Sequence, residues 1–476
     1  MAHRILSTMR LLVAIASHGH ANDSHLLRVI REYRSMSCHV DIIVLSNITK
    51  TLPEGVELAV GTPSKNPWSL PFAHKPIFAQ RVNQYDLFLY SEDDILITED
   101  NLQSFIDVTE CLRNDEIAGF LRIEKGGNGQ TFFPEVHHRF HWDITSVEMR
   151  DKYTFASFTN EHSGCYVLTR EQLRRAISSG GFLVKPHTDG YDLLCTAATD
   201  PYTQCGLRKL ICVSHLDHFL VHHLPNKYLD RMGTNECDVR RQIDELLTIA
   251  RSDTSPSSLL EMRSAGMSLP FSTYYLKNYY EQARTDIVSQ IPDCVTSVLS
   301  VGCGWGETER LLAARGLDVA AIPIDQVIGA CAAARHIEVI QADLTNLGQL
   351  PEGRRFDCLL ISRLLHLLPD PTGALASLSG LLSQRAIVIV VVPNFLNAAW
   401  LWRIICKTLL LQDVVGYKAV GVHFTSIMTV RRWIKQAGLQ VRCVSHILPD
   451  RRPNSRLAKW VPPLFAEELI AVAIRG

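Results

Sequence analysis

The sequence predicts two doubly wound α/β domains in series. Three observations carry that expectation. Strand-like and helix-like segments alternate through the first half of the chain, the alternation breaks in a Ser-rich stretch at 248–268, and it starts afresh beyond it. The expected division is therefore a domain over 1–247, a linker over 248–268 and a second domain over 269–476. At 476 residues the chain is also too long for one ordinary core.

In the first half, LLVAIAS (11–17) is a buried-strand pattern and SHLLRVIREYR (24–34) an amphipathic helix. HVDIIVLSN (39–47) and YDLFLYSE (85–92) are again near-continuous apolar runs, as expected of parallel strands covered on both faces. In the second half, SVLSVGCG (297–304) is a strand running into a glycine turn, and ETERLLAARG (307–316) a helix closed by Gly316. DVAAIPID (318–325), IEVIQADL (337–344), FDCLLIS (356–362) and AIVIVVVP (386–393) supply further strands.

Composition excludes several classes. Hydrophobic residues at 46% and charged residues at 20% describe a soluble globular chain. The net charge of −1 offers no global attraction for nucleic acid, so no nucleic-acid partner is expected. Thirteen cysteines form no CxxC pair, which fits buried thiols in a reducing, cytoplasmic compartment. RLLVAIAS near the start is at the floor of a secretory apolar region and is better taken as the first strand. No uncharged apolar run reaches the roughly 18 residues that span a bilayer. The amphipathic stretch 398–411 carries Arg403 and Lys407 on one face; it suits a core-packed helix or lid, with peripheral contact at the inner face of the membrane as the alternative.

VGCGWGET places Gly302, Gly304 and Gly306 directly after a buried strand, where glycine permits positive φ and close approach to a ligand. The spacing is GxGxG, not GxGxxG, and Glu307 follows at the helix start. A carboxylate there would repel a pyrophosphate but suits a ligand with a cationic amine and a sulfonium, S-adenosylmethionine (SAM). Asp325, at the end of the second strand, stands where an acid meets ribose hydroxyls, and Asp343, after the third, could receive an adenine amine.

These residues carry a resemblance. YYEQARTDIVSQIPDCVTSVLSVGCGWGE (279–307) resembles the opening of class I SAM-dependent methyltransferases, especially those fused to glycosyltransferases. FDCLLISRLLHLLPDP (356–371) is similar to their fourth-strand motif, and GVHFTSIMTVRRWIKQAGLQV (421–441) to their late helix and strand. The resemblance implies a Rossmann-like fold over about 270–476, SAM as cofactor and methyl transfer as activity. Ser300 stands where Asp is usual, and Arg363 and Leu367 where His often occurs. An alcohol acceptor would need a general base. His366 and His423 are the candidates by residue type, and each is equally open to a packing role.

In the first half, FLYSEDDILI (88–97) sets Glu92, Asp93 and Asp94 at the end of a buried strand. An acidic surface turn is the plain explanation; a clamp for Mn²⁺ or Mg²⁺ on a sugar-nucleotide diphosphate is the functional one. Strand alternation puts Glu92 and Asp94 on one side and Asp93 on the other. The segment resembles the DxD-type motif of GT-A-fold glycosyltransferases, and LLVAIASHGHANDSHLLRVI (11–30) and EHSGCYVLTREQLRRAI (161–177) are similar to the family's first unit and its acceptor-side turn. The resemblance covers about 8–245 and implies a catalytic acid at Asp189 or Asp192 in KPHTDGYDLL, and an additional metal ligand at His222 or His223 in HFLVHH, with His222 taken first.

The expectation is a bifunctional transferase of a nucleotide-sugar donor, SAM, and a glycan or glycolipid acceptor. The alternative keeps the methyltransferase and makes the first half a non-catalytic carbohydrate-binding domain.

Overall fold

In a computed structural model the chain divides into two compact units, residues 1–253 and 254–476. The structure describes residues 6–134, 140–188, 191–229, 231, 233–252, 256, 277–344, 353–398, 417, 422–448 and 462–476.

The first unit is built on a five-stranded sheet of β1 (Arg10–Ser17), β2 (His39–Ser46), β3 (Glu57–Val60), β4 (Leu87–Glu92) and β11 (Cys165–Thr169), in the order β11-β4-β1-β2-β3. Four strands are parallel and β11 is antiparallel to β4. Seven of the eight β1 residues are buried, as two covered faces require. Helix α1 (Asp23–Ser35) buries Leu26, Val29, Ile30 and Tyr33, one stripe at helical spacing. Further helices are α2 (His74–Arg81), α3 (Glu99–Thr109), α4 (Arg170–Ser178), α5 (Leu193–Thr203) and α6 (Glu236–Arg251).

This unit departs from a simple doubly wound domain. A four-stranded sheet joins β6 (Glu116–Ala118), β12 (Arg208–Cys212), β10 (Tyr153–Phe158) and β9 (Trp142–Arg150). A five-stranded one joins β14 (Gly233–Asn235), β8 (Thr131–Pro134), β7 (Leu121–Lys125), β13 (Leu220–His223) and β5 (Ile95–Leu96). Both mix parallel and antiparallel pairs. Their strands are short and half-polar, so the sequence carries little periodic signal for them. The hairpin β9–β10 turns through Asp151 at φ 53°, a left-handed position that Asp tolerates.

The second unit is doubly wound as expected. Its sheet runs β17 (Glu338–Val339), β16 (Asp318–Pro323), β15 (Ser297–Cys303), β18 (Phe356–Ser362), β19 (Leu382–Pro393), β21 (Glu468–Arg475) and β20 (Leu439–Ile447). Strands are parallel through β19, while β21 is antiparallel to both neighbours. Leu299, Val301, Leu359 and Ile361 enter one core, Val298, Cys358 and Leu360 the other, so alternate residues feed opposite faces. The helices are α7 (Thr285–Val288), α8 (Glu307–Ala314), α9 (Gln326–Ala333), α10 (Pro371–Ser379), α11 (Ile427–Gln436) and α12 (Pro462–Phe465). The strand expected over 337–344 shrinks to Glu338–Val339, and that over 386–393 lengthens to Leu382–Pro393. Among the described residues no helix is long and apolar enough to cross a membrane. Residues 399–411 of the amphipathic stretch, and most of the 248–268 linker, lie outside the described residues.

Candidate active sites

In the second unit, β15 ends in the glycine turn. Gly302 has φ 77°, and a Cβ there would lie 2.7 Å from Leu364. Gly306 has φ 90° and opens α8, while a Cβ on Gly304 would drive into the Tyr279 carbonyl. Each glycine thus has a packing reason: the Leu364 side chain at Gly302, the Tyr279 backbone at Gly304 and Ala332 at Gly306.

The acids behave differently from expectation. Glu307 accepts from Arg335 at 2.8 Å and from Arg310 at 3.0 Å, so its charge is already matched. Arg335 in turn lies 4.8 Å over the Trp305 ring. β16 ends at Pro323, and Asp325 stands two residues beyond as the N-cap of α9, accepting from Ile328 N at 3.0 Å. Its second oxygen accepts the Tyr279 hydroxyl, and burial raises its pKa to about 6. Asp343 is exposed on the loop after β17. Ser300, in place of an acid, donates to the buried Glu309 at 2.6 Å, and burial holds that carboxyl above the usual range.

The two histidines separate clearly. His366 is fully buried in a short turn of helix, Leu365–Leu367, so burial favours packing over contact with a substrate hydroxyl. His423 is half-buried, with Nε2 3.0 Å from Leu368 O and 3.3 Å from Pro369 O. Carbonyl acceptors place the proton on Nε2 and the basic lone pair on Nδ1. Its ring stacks on Tyr417 at 4.5 Å, and its backbone N donates to His366 O at 2.8 Å. Sequence reasoning missed Lys277 and Glu281. Lys277 is 1% exposed, pairs with Glu281 and donates to Ser362 O at 2.8 Å. A lone lysine outside any strand gave no signal.

In the first unit, β4 delivers its three acids beside the end of β1, where Ala16 pairs with Glu92. They line a cavity of about 490 Å³ with Asn22, Trp68, Arg122, His162, Asp192, His223 and Lys227. Asp93 accepts from Ser17 Oγ at 2.6 Å and Asn22 Nδ2 at 2.8 Å; Asn22 also reaches Asp94 at 3.1 Å. All three acids therefore share one cavity. Strand alternation fails after Glu92 because β4 ends there and the chain turns.

Glu92 Oε1 and Asp94 Oδ1 are buried and accept no hydrogen bond among the described residues. Burial and the neighbouring Asp94 charge raise the Glu92 pKa to about 7, and burial raises that of Asp93 to about 6. Burial also opposes ionisation of Asp94, but interaction with His223, 3.5 Å away, outweighs it and holds that carboxyl below its usual range. His223 Nδ1 is fixed by buried Glu124 at 2.6 Å. His222 points elsewhere, with Nε2 on Asn226 Oδ1 at 2.9 Å, so His223 replaces it as the histidine facing the acids. Alternation along β13 separates the two neighbours.

Asp192 lines the cavity and caps α5 through Cys195 N at 2.9 Å, while Asp189 lies outside the described residues. Among the described residues no group of three or more His, Cys, Asp or Glu side chains could hold a metal ion. The orphan oxygens of Glu92 and Asp94 are two donors, which is what Mg²⁺ or Mn²⁺ takes from protein when substrate phosphates and waters complete its shell.

Residues 299–390 match the family model described as "Methyltransferase domain". This stretch of the second unit is thus similar to a methyltransferase domain. No curated protein matches the chain. Among solved structures, a SAM-dependent methyltransferase from Mesorhizobium loti is similar at 18% identity over 40% of this chain and 96% of its own, with a TM-score of 0.30. One from Archaeoglobus fulgidus shares 16% identity over 40% and 92%, with a TM-score of 0.31. The magnesium protoporphyrin IX methyltransferase of Synechocystis shares 16% over 38% and 74%, with a TM-score of 0.28.

Proposed function

We propose that the chain is a bifunctional transferase: the methyltransferase unit methylates an oxygen of a glycan or glycolipid, and the first unit transfers a sugar from a nucleotide donor. The observation that carries the second activity is the pair of buried, hydrogen-bond-free oxygens on Glu92 and Asp94, two residues that line one cavity with Arg122 and Lys227. A diphosphate would bring negative charge for the two cations, and Glu92 and Asp94 are the residues that would hold a divalent ion to neutralise it. Trp68, 56% exposed at the cavity wall, offers a face on which a sugar or base can stack. Asp192 lines the same cavity, which supports assigning it the acceptor proton.

Methyl transfer would be an in-line displacement at the methyl group that SAM would supply, and the chain's part would be to hold the acceptor oxygen in line with it. The acceptor proton passes to a base, and His423 through Nδ1 is the candidate. SAM supplies the activated methyl group; the chain supplies orientation and the proton acceptor.

A thermal-shift screen of the whole chain with SAM, and separately with nucleotide-sugars and Mn²⁺, tests both halves. Stabilisation by SAM alone, with no nucleotide-sugar hydrolysed or transferred, would leave the first unit as a non-catalytic binding domain and sink the bifunctional reading.

A further inference from the structure

One short segment lies across the crevice of the methyltransferase unit. Lys277 and Tyr279 are 1% and 0% exposed, although they precede the first strand of the sheet and carry polar ends. Lys277 Nζ donates to the carbonyl of Ser362, the last residue of β18, and pairs with Glu281. The Tyr279 hydroxyl donates to Asp325, just past β16. In the glycine turn that follows β15, Trp305 N donates to Tyr279 O at 2.9 Å, and Trp305 Nε1 to Glu281 O at 2.7 Å. Residues 277–281 therefore touch the C-terminal ends of three adjacent strands, where an open parallel sheet receives its ligand.

The chemistry of those contacts is specific. Glu281 and the Ser362 carbonyl form a part-buried receptor for a primary ammonium, since one brings charge and both bring acceptors, while Arg284 at 3.8 Å already takes the other Glu281 oxygen. Asp325 presents an oxygen to a hydroxyl. SAM carries a primary ammonium and two ribose hydroxyls. If cofactor and lysine shared the receptor, two ammonium groups would crowd one carboxylate; exchange of one for the other leaves no buried charge unmatched.

We propose that Lys277–Tyr279 occupy the SAM crevice in cis, Lys277 in place of the cofactor ammonium at Glu281 and Ser362, and Tyr279 in place of a ribose hydroxyl at Asp325. SAM and the segment then compete, and the fraction of chains with the segment withdrawn scales the apparent affinity. The inference rests on the assignment of this crevice to SAM.

The test is SAM titration by calorimetry on the full chain, unmodified and as Lys277→Met and Tyr279→Phe, with hydrogen exchange followed over 277–284. Displacement predicts at least about fivefold tighter binding in each variant and faster exchange of that peptide in the unmodified chain when SAM is added. Weaker binding in either variant, or slower exchange with SAM, overturns the inference and makes these residues cofactor contacts. Affinity within twofold of the unmodified chain, with unchanged exchange, overturns it as well. Binding by the unmodified chain together with any change in exchange over 277–284 supports the crevice assignment whichever way the variants move; binding by none of the three proteins removes the assignment and the inference together. The exchange experiment needs no variant, so it decides the matter even where a substitution prevents folding.

Discussion

Glu92 and Asp94 are two residues apart, yet they hold their protons differently. Burial raises Glu92 to about 7, whereas His223 keeps Asp94 ionised. On the proposed glycosyl transfer, the ionised Asp94 would be the first of the two to meet a divalent ion. Asp94→Ala should lower nucleotide-sugar turnover by about a hundredfold or more, the scale of losing one preorganised charge contact, with SAM affinity unchanged. Glycosyl-transfer assays and calorimetry on the same sample check both halves of that statement. His423→Ala should reduce methyl transfer by about 10²–10⁴-fold in single-turnover assays without altering SAM affinity. Asp325 gives a pH test. Its pKa is about 6 folded against an ordinary 3.8, so folding takes up a proton between those values. The stability it contributes is complete below pH 3.8 and is lost as pH rises to about 6. Asp325→Asn keeps the helix cap through its one carbonyl oxygen without titrating, and its amide NH₂, a donor, replaces the oxygen that accepts from Tyr279. Chemical denaturation of both proteins should therefore show the native chain losing stability relative to the variant across that window.

At the scale of elements, what the sequence disclosed depended on whether a pattern was local. β1, α1, β2, β15, α8 and β18 fall within two residues of their expected bounds, because each is a continuous apolar run or a single amphipathic stripe. The sheets built from β5 to β10 and β12 to β14 were not legible. Their pairings join residues far apart in the chain, such as His222 with Leu96, and nothing in either strand names the other. The same limit explains the sites. The glycine turn is contiguous in sequence, as are Glu92, Asp93 and Asp94 at and just past the end of β4, while Arg122, His162 and Lys227 reach that cavity from separate segments. The choice of His222 over His223 turned on one step of strand alternation, which only the β13 register settles. Gly304 belongs to this scale too: Gly304→Ala should destabilise the second unit by about 1–3 kcal/mol, measured by denaturant unfolding, because its Cβ meets the Tyr279 backbone and not a movable side-chain end.

For the whole molecule, the two compact units imply two cooperative transitions with separate ligand sensitivities. SAM at a hundred times its Kd should stabilise one transition by about 2.7 kcal/mol and leave the other in place; a nucleotide-sugar with Mn²⁺ should do the reverse. Scanning calorimetry with each ligand reads this directly, and one transition shifted by both ligands would contradict it. The order of the second sheet has a consequence for synthesis. Among the described residues β20 pairs only with β21, and β21 is the later strand, inserted between β19 and β20. While a ribosome is still adding residues 468–475, β19 has an open edge and β20 has nowhere to dock. The methyltransferase sheet therefore closes last at its interior, and until then the nascent chain presents an apolar strand edge that cellular chaperones must keep apart from its neighbours.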